Sequence, residues 1–176
     1  LATLHRAWHE PLVKERLAEM LDLFLHKIAR ADGRHLNHFF RADWTATTRN
    51  YTYGHDIEAS WLLCEAAEVL GDHDRHERVR RLALTLARAS LDEGLDEDGG
   101  LAYEGEEGKI TGPHRDWWPQ AEAAVGFLNA FQIGGEQRFF DAALKVWDFI
   151  EKKVVDRHHG EWFSRILPDG QPDLAR

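Results

Sequence analysis

Two kinds of apolar stretch alternate along the chain. Between Pro11 and Ala31, Leu17, Met20, Leu21, Phe24 and Ile28 recur at helical spacing while Lys14, Glu15, Glu19 and Asp22 stay off that stripe. This pattern predicts an amphipathic helix ended by Asp32-Gly33. From about Gly54 to Leu70 the apolar residues (Trp61, Leu62, Leu63, Cys64, Ala66, Ala67, Val69, Leu70) point in nearly every direction, which predicts a helix buried all round and stopped by Gly71. A charged opening, Asp74-Arg75-His76-Glu77-Arg78, introduces a one-faced helix with Val79, Leu82, Ala83 and Leu86 inward, closing near Gly94. The cycle then recurs. Asp116 is placed to cap an apolar helix that starts at Trp117-Trp118-Pro119 and breaks at Gly134-Gly135, and proline costs little in a first turn. An amphipathic partner follows, carrying Phe139, Ala142, Ala143, Val146, Phe149 and Ile150.

Short aromatic segments separate these pairs: His35–Phe40, Leu101–Glu104 and Glu161–Phe163, each expected to be strand-like. Their aromatic positions Phe39, Tyr103 and Phe163 recur at a spacing of about 60 residues, and a fixed period of helical pairs implies a toroid or solenoid. Wholly apolar helices alternating with one-faced helices favour two concentric layers. The expected fold is therefore all-α, a partial (α/α) toroid of helical hairpins with short β-strands in the connecting loops. Residues 1–176 are expected to form a single incomplete domain of about two and a half hairpin repeats. The chain opens at Leu1 within a helical pattern (Leu1, Leu4, Trp8) and ends at Arg176 after the turn-like Pro168–Pro172, so it is read as a piece of a longer ring.

Composition narrows the partners. A chain of 176 residues with 43% hydrophobic content and seven tryptophans fits one packed globular unit. A net charge of −9 argues against nucleic acid, whose binding relies on Lys/Arg clusters. The single cysteine, Cys64, excludes an internal disulfide and a cysteine-based zinc site, and its apolar helical setting predicts an inert core thiol. No apolar run is long enough to span a bilayer and no signal peptide opens the chain, so no membrane partner and a cytoplasmic location are expected. Asn50-Tyr51-Thr52 matches a glycosylation acceptor without other support for secretion.

The chemistry sits at the openings of the two apolar helices. His55, Glu58 and Trp61 follow one another at helical spacing on the first, and Trp118 and Glu122 share a face on the second. A histidine that titrates near neutrality, carboxylates able to set its protonation and flat apolar walls suit a small polar substrate. The structural alternative is a pair of capped helix starts, because the helix dipole alone favours carboxylates there. Charged groups on otherwise apolar helices are costly to bury without a partner, and both helices carry them. His35, His38, His73, His76, His158 and His159 are given less weight, and no metal site is expected, because no carboxylate at helical spacing accompanies them.

Tyr53-Gly54-His55-Asp56-Ile57-Glu58-Ala59-Ser60-Trp61-Leu62-Leu63 resembles the signature of the cellobiose 2-epimerases, members of the N-acylglucosamine 2-epimerase superfamily of (α/α)6 barrels. Asp116-Trp117-Trp118-Pro119-Gln120-Ala121-Glu122-Ala123 resembles a second signature and Gly160-Glu161-Trp162-Phe163 a third. The resemblance implies that His55 is one of a pair of catalytic histidines, that Glu58 supports it, and that Glu122 is a further functional carboxylate. It also implies that Trp61 and Trp118 form sugar-contacting walls. The implied reaction is epimerisation at C2 of the reducing-end glucose of a β-1,4-linked disaccharide through an enediolate, with a small saccharide as partner and no cofactor. The second catalytic histidine, an upstream histidine and an arginine are implied to lie outside the chain, and Ser164 stands where the third signature would continue with an aromatic residue. The incomplete ring is accordingly expected to be inactive by itself and to self-associate through its open apolar ends. Three other readings share the residues: an aldose–ketose isomerase acting on mannose, a non-catalytic helical-repeat saccharide-binding module, and an (α/α) glycoside hydrolase using Glu58 and Glu122.

Overall fold

The computed structural model describes residues 1–174; the last two positions of the expected 1–176 unit lie outside the described residues. Its helices are α1 (Ala2–Ala7), α2 (Pro11–Leu23), α3 (Tyr53–Leu70), α4 (His73–Ala89), α5 (Trp117–Gly134) and α6 (Gln137–Phe149). Helices α2, α4 and α6 each run directly into a five-residue π turn, Phe24–Ile28, Ser90–Gly94 and Ile150–Val154 respectively. Local chemistry sets the ends. Pro11 occupies the first turn of α2, where its missing N–H has no intrahelical partner to lose. The Asp72 carboxylate accepts the Arg75 amide at the start of α4. Gly71 and Gly135 close α3 and α5 in the left-handed conformation.

Helices α3 and α5 lie side by side, with α1 against α3, while α2 and α4 back α3 and α6 backs α5. This is an inner row of α1, α3 and α5 covered by an outer row of α2, α4 and α6, the layering of an (α/α) barrel. The inner helices touch closely at Gly126, where an added Cβ would lie 2.5 Å from Ile57 Cγ1 and 2.8 Å from the Ile57 carbonyl oxygen. One core joins α3, α5 and α6 through Ile57, Phe127, Phe139, Val146 and Phe149; a second joins α2, α3 and α4 through Leu17, Leu21, Leu63, Val79 and Leu86. Cys64 is buried in that second core, where burial pushes its thiol pKa up, as fits an inert thiol.

Short strands rim the inner-helix openings. Strand β1 (Tyr51–Thr52) runs straight into α3 and pairs antiparallel with β2 (Glu104–Glu106), which pairs with β3 (Lys109–Gly112). Strand β4 (Arg115–Asp116) runs into α5 and pairs with β7 (Arg165–Ile166), while β5 (Val155–Asp156) and β6 (Glu161–Trp162) form a hairpin. The loops also satisfy the first helical amides: Tyr53 N–H donates to Tyr103 O, and Trp117 N–H to Ser164 O.

Several expectations need correction. Among the described residues the inner helices are not covered all round: Leu62 on α3 and Val125 and Leu128 on α5 are exposed, on faces left without a packed neighbour. Met20, expected on the buried stripe of α2, is exposed at the edge of a cavity. The segment 35–40 is not a strand but an irregular loop held by isolated bridges at Leu36 and Phe40, and Phe39 points outward, 60% exposed. The strand expected at Leu101–Glu104 begins only at Glu104. Asp116 does not cap α5 with its side chain; its carboxylate takes Arg165 Nε at 2.6 Å and binds across the β4–β7 pair instead.

Candidate active site

His55 stands in the first turn of α3 with an open edge toward solvent. Its Nδ1 lies 2.5 Å from the Thr52 hydroxyl, one turn back at the end of β1. Trp118, from the first turn of α5, meets the imidazole edge-to-face at 4.9 Å between ring centroids, and His38 meets it edge-to-face at 5.0 Å. This partial enclosure pushes the His55 pKa below the ordinary histidine value, against the opposing pull of Asp56. His55 is thereby kept neutral and able to accept a proton at near-neutral pH. It opens onto a cavity of about 710 Å³ between α1, α2, α3 and the 36–40 loop. The lining is mostly apolar, and its polar groups are Asn37, His38, His55 and Glu58.

His38 reaches this position because the residue next to His55 anchors its loop. Asp56 is fully buried, and its carboxylate accepts the Leu36 amide at 2.9 Å and contacts His35 Nδ1 at 2.8 Å. Burial pushes the Asp56 pKa up, and the contacts with His35 and Leu36 oppose that push. His35 Nε2 in turn lies 3.2 Å from Glu93, in the π turn that follows α4, and the His35 ring stacks on Tyr51 at 3.4 Å. Glu93 also accepts the Tyr51 hydroxyl and pairs with Arg34. A buried polar bridge thus ties the outer layer, the 35–38 loop and the opening of α3 to one another.

Glu58, one turn after His55, lines the same cavity. Burial first, and then the nearby Glu122 charge, push its pKa up. The two inner helices also meet at a second pair, where Trp61 Nε1–H donates to Glu122 Oε2 at 2.8 Å. Trp61 faces a separate groove between α3 and α5 that is shared with Glu65, Val125 and Asn129. The sequence-derived set is therefore brought together as two cross-helix contacts, His55 with Trp118 and Trp61 with Glu122, with Glu58 lining the same cavity as His55. His38 was given less weight in the sequence, and Thr52 was not singled out. No local period links residue 38 to residue 55; the only signal was an acidic residue, Asp56, set in an apolar helix and in need of a buried partner.

Backbone proximity sets Trp118 against His55. An added Cβ on Gly54 would lie 2.7 Å from Trp118 Cη2 and 2.9 Å from Pro119 Cγ, so the start of α5 would have to move. Gly54→Ala is expected to displace Trp118 and to reduce turnover of the full-length protein by about 10²-fold, the cost of a misplacement on the order of 1 Å. Steady-state kinetics checks this, and turnover within a factor of about three of wild type would show that the Trp118 contact is unimportant.

The chain has known relatives. The model of the family described as N-acylglucosamine 2-epimerase (GlcNAc 2-epimerase) matches residues 2–175. The cellobiose 2-epimerase of Bacteroides fragilis is 40% identical over 169 residues, covering 95% of this chain and 43% of that protein. The solved structure of cellobiose 2-epimerase from Bacillus thermoamylovorans superimposes with a TM-score of 0.92 at 37% identity, covering 98% of this chain and 44% of that one. A D-mannose isomerase structure shares the fold, with a TM-score of 0.81 at 17% identity over 96% of this chain and 46% of that one. The chain spans less than half the length of the relatives it matches. With the inner and outer helical rows and the family match over nearly every residue, this chain belongs to the N-acylglucosamine 2-epimerase family.

Proposed function

We propose that this chain supplies one side of the catalytic centre of a sugar 2-epimerase, an isomerase acting at C2 of the reducing-end glucose of β-1,4-linked disaccharides of the cellobiose type. The observation that carries this is the His55 imidazole, held between Thr52, Trp118 and His38 where a cavity meets the opening of α3. The similarity to cellobiose 2-epimerases supports the choice of substrate. On the ring-opened aldehyde, His55 takes the C2 proton. The C2–H electron pair forms the C1=C2 bond, and the carbonyl pair moves onto O1 to give the enediolate. Return of a proton to C2 from the opposite face, by a second acid, inverts the centre. Glu58 and Glu122 set the polarity beside the base, and Trp118 and Trp61 are assigned to sugar contact. The scheme calls for no metal or redox cofactor.

Incubating cellobiose with the full-length protein in heavy water tests the reading. Deuterium at C2 and the mannose-configured product are expected by NMR; no deuterium at C2 would overturn it. The main alternative is a mannose-type isomerase, favoured by the shared fold with D-mannose isomerase, in which the proton passes to C1 and a ketose dominates. The pH profile follows from the base. Because the His55 pKa is lowered, its neutral form persists below pH 6.5, and the acid limb of kcat/KM is expected below that value. An acid limb centred above 6.5 would remove His55 as the group responsible.

The residues also supply about two and a half hairpin units of the ring, which leaves the exposed faces of α3 and α5 to be covered. The 176-residue chain alone is accordingly expected to self-associate, and a clean monomer in sedimentation velocity would count against this. Among the described residues no helix is long and apolar enough to cross a membrane, and we assign the reaction to the cytoplasm.

A further inference from the structure

His38 carries an unmet hydrogen-bonding demand beside the base. Its Nε2 is buried and has no partner among the described residues, although the ring is packed against His55 and faces the same cavity as His55 and Glu58. The ring is not loosely placed. Asn37 on one side bonds Ile28 O through its backbone amide at 2.9 Å, and Leu36 beyond it bonds the buried Asp56 carboxylate. A buried nitrogen without a partner costs free energy unless something else fills the role, and here the residue that carries it lines a cavity large enough for a sugar.

Resting on the epimerase reading, we propose that His38 is a further catalytic residue: its Nε2–H donates to O1 of the substrate as the enediolate forms, while His55 holds the C2 proton. The spacing supports this. Atoms C2 and O1 of an aldose are separated by one bond and a carbonyl, so the groups serving them must be neighbours, as two imidazoles in edge-to-face contact are. The charge state supports it as well. Burial, the neighbouring His55 and Arg30 hold the His38 pKa down at about 4, against a weaker opposing pull from Glu104. His38 is therefore a neutral imidazole throughout the working range of His55. A neutral imidazole is a weak acid whose N–H strengthens its bond as negative charge develops on oxygen, without surrendering the proton to water beforehand. The same neutrality avoids placing a second cation against a protonated His55.

The test compares His38→Leu, which removes the donor, with His38→Gln, which keeps one, in the full-length protein. Two readouts are used: C2–H exchange into heavy water and affinity for an aldonohydroxamate, a planar mimic of the enediolate. His38→Leu is expected to lower kcat for exchange by about 10²-fold with KM within about threefold, and to weaken hydroxamate binding at least tenfold. His38→Gln is expected to recover most of both losses. Exchange and hydroxamate affinity near wild type in His38→Leu would overturn the inference while leaving the epimerase reading in place. Equal losses in both variants, tracking a lowered melting temperature, would overturn it in favour of packing. A wild-type protein that exchanges no C2 hydrogen would remove the epimerase reading and this inference together.

Discussion

Replacing His55 with asparagine in the full-length protein is expected to lower C2–H exchange by about 10³-fold or more, within or beyond the range for loss of a general base. The fold should survive, because the His55 side chain keeps an open edge and its one polar contact is with Thr52 Oγ1, which an asparagine amide can also reach. The loss is expected in kcat more than in KM, since Trp118 and Trp61, the residues proposed to contact the sugar, stay in place. Heavy-water exchange followed by NMR, with the melting temperature as the control for folding, gives the answer. Exchange within tenfold of wild type would move the base to another residue, with His38 the next group in the same cavity.

Asp56→Ala is expected to cost about 2–6 kcal/mol of stability, because two buried groups lose their hydrogen-bond acceptor at about 1–3 kcal/mol each. The reason lies in what the carboxylate leaves behind. The Leu36 amide and His35 Nδ1 both point at a fully buried carboxyl, and neither has water to turn to once it is gone. A domain holds only about 5–15 kcal/mol in total, so the loss is a large share. Asp56→Asn keeps an acceptor for Leu36 and should cost less. Urea denaturation measures both; a midpoint for Asp56→Ala corresponding to under about 1 kcal/mol would mean that the bridge contributes little. Because the same carboxylate fixes the 35–38 loop, Asp56→Asn should also loosen His38 against His55 and lower activity by more than its stability loss accounts for.

These two neighbours divide the labour at one helix opening. His55 faces the cavity, while Asp56, about 100° further round the helix, faces the core and holds the second histidine in place. The motif Gly54-His55-Asp56 therefore carries a close helix contact, the proposed base and a buried anchor in three consecutive residues.

The sequence by itself determined the helices, their order, their two-layer alternation and two sets of candidate residues, His55, Glu58 and Trp61 on one helix and Trp118 and Glu122 on another. All of these depend on local spacing: the 3.6-residue period, glycine stops, and residue types one turn apart on one helix. The family signatures were legible for the same reason, as continuous runs. The tertiary structure alone decided which of those residues meet. Trp118 was brought to His55 and Glu122 to Trp61 by the close passage of two helices separated by a whole hairpin. The Asp116 carboxylate was drawn away from its helix by Arg165, because a charged partner within reach outweighs a capping bond. The place of His38 beside His55 and the bridge from Asp56 through His35 to Glu93 were invisible in the chain, since burial gives a polar group its partner across space and no periodicity records it.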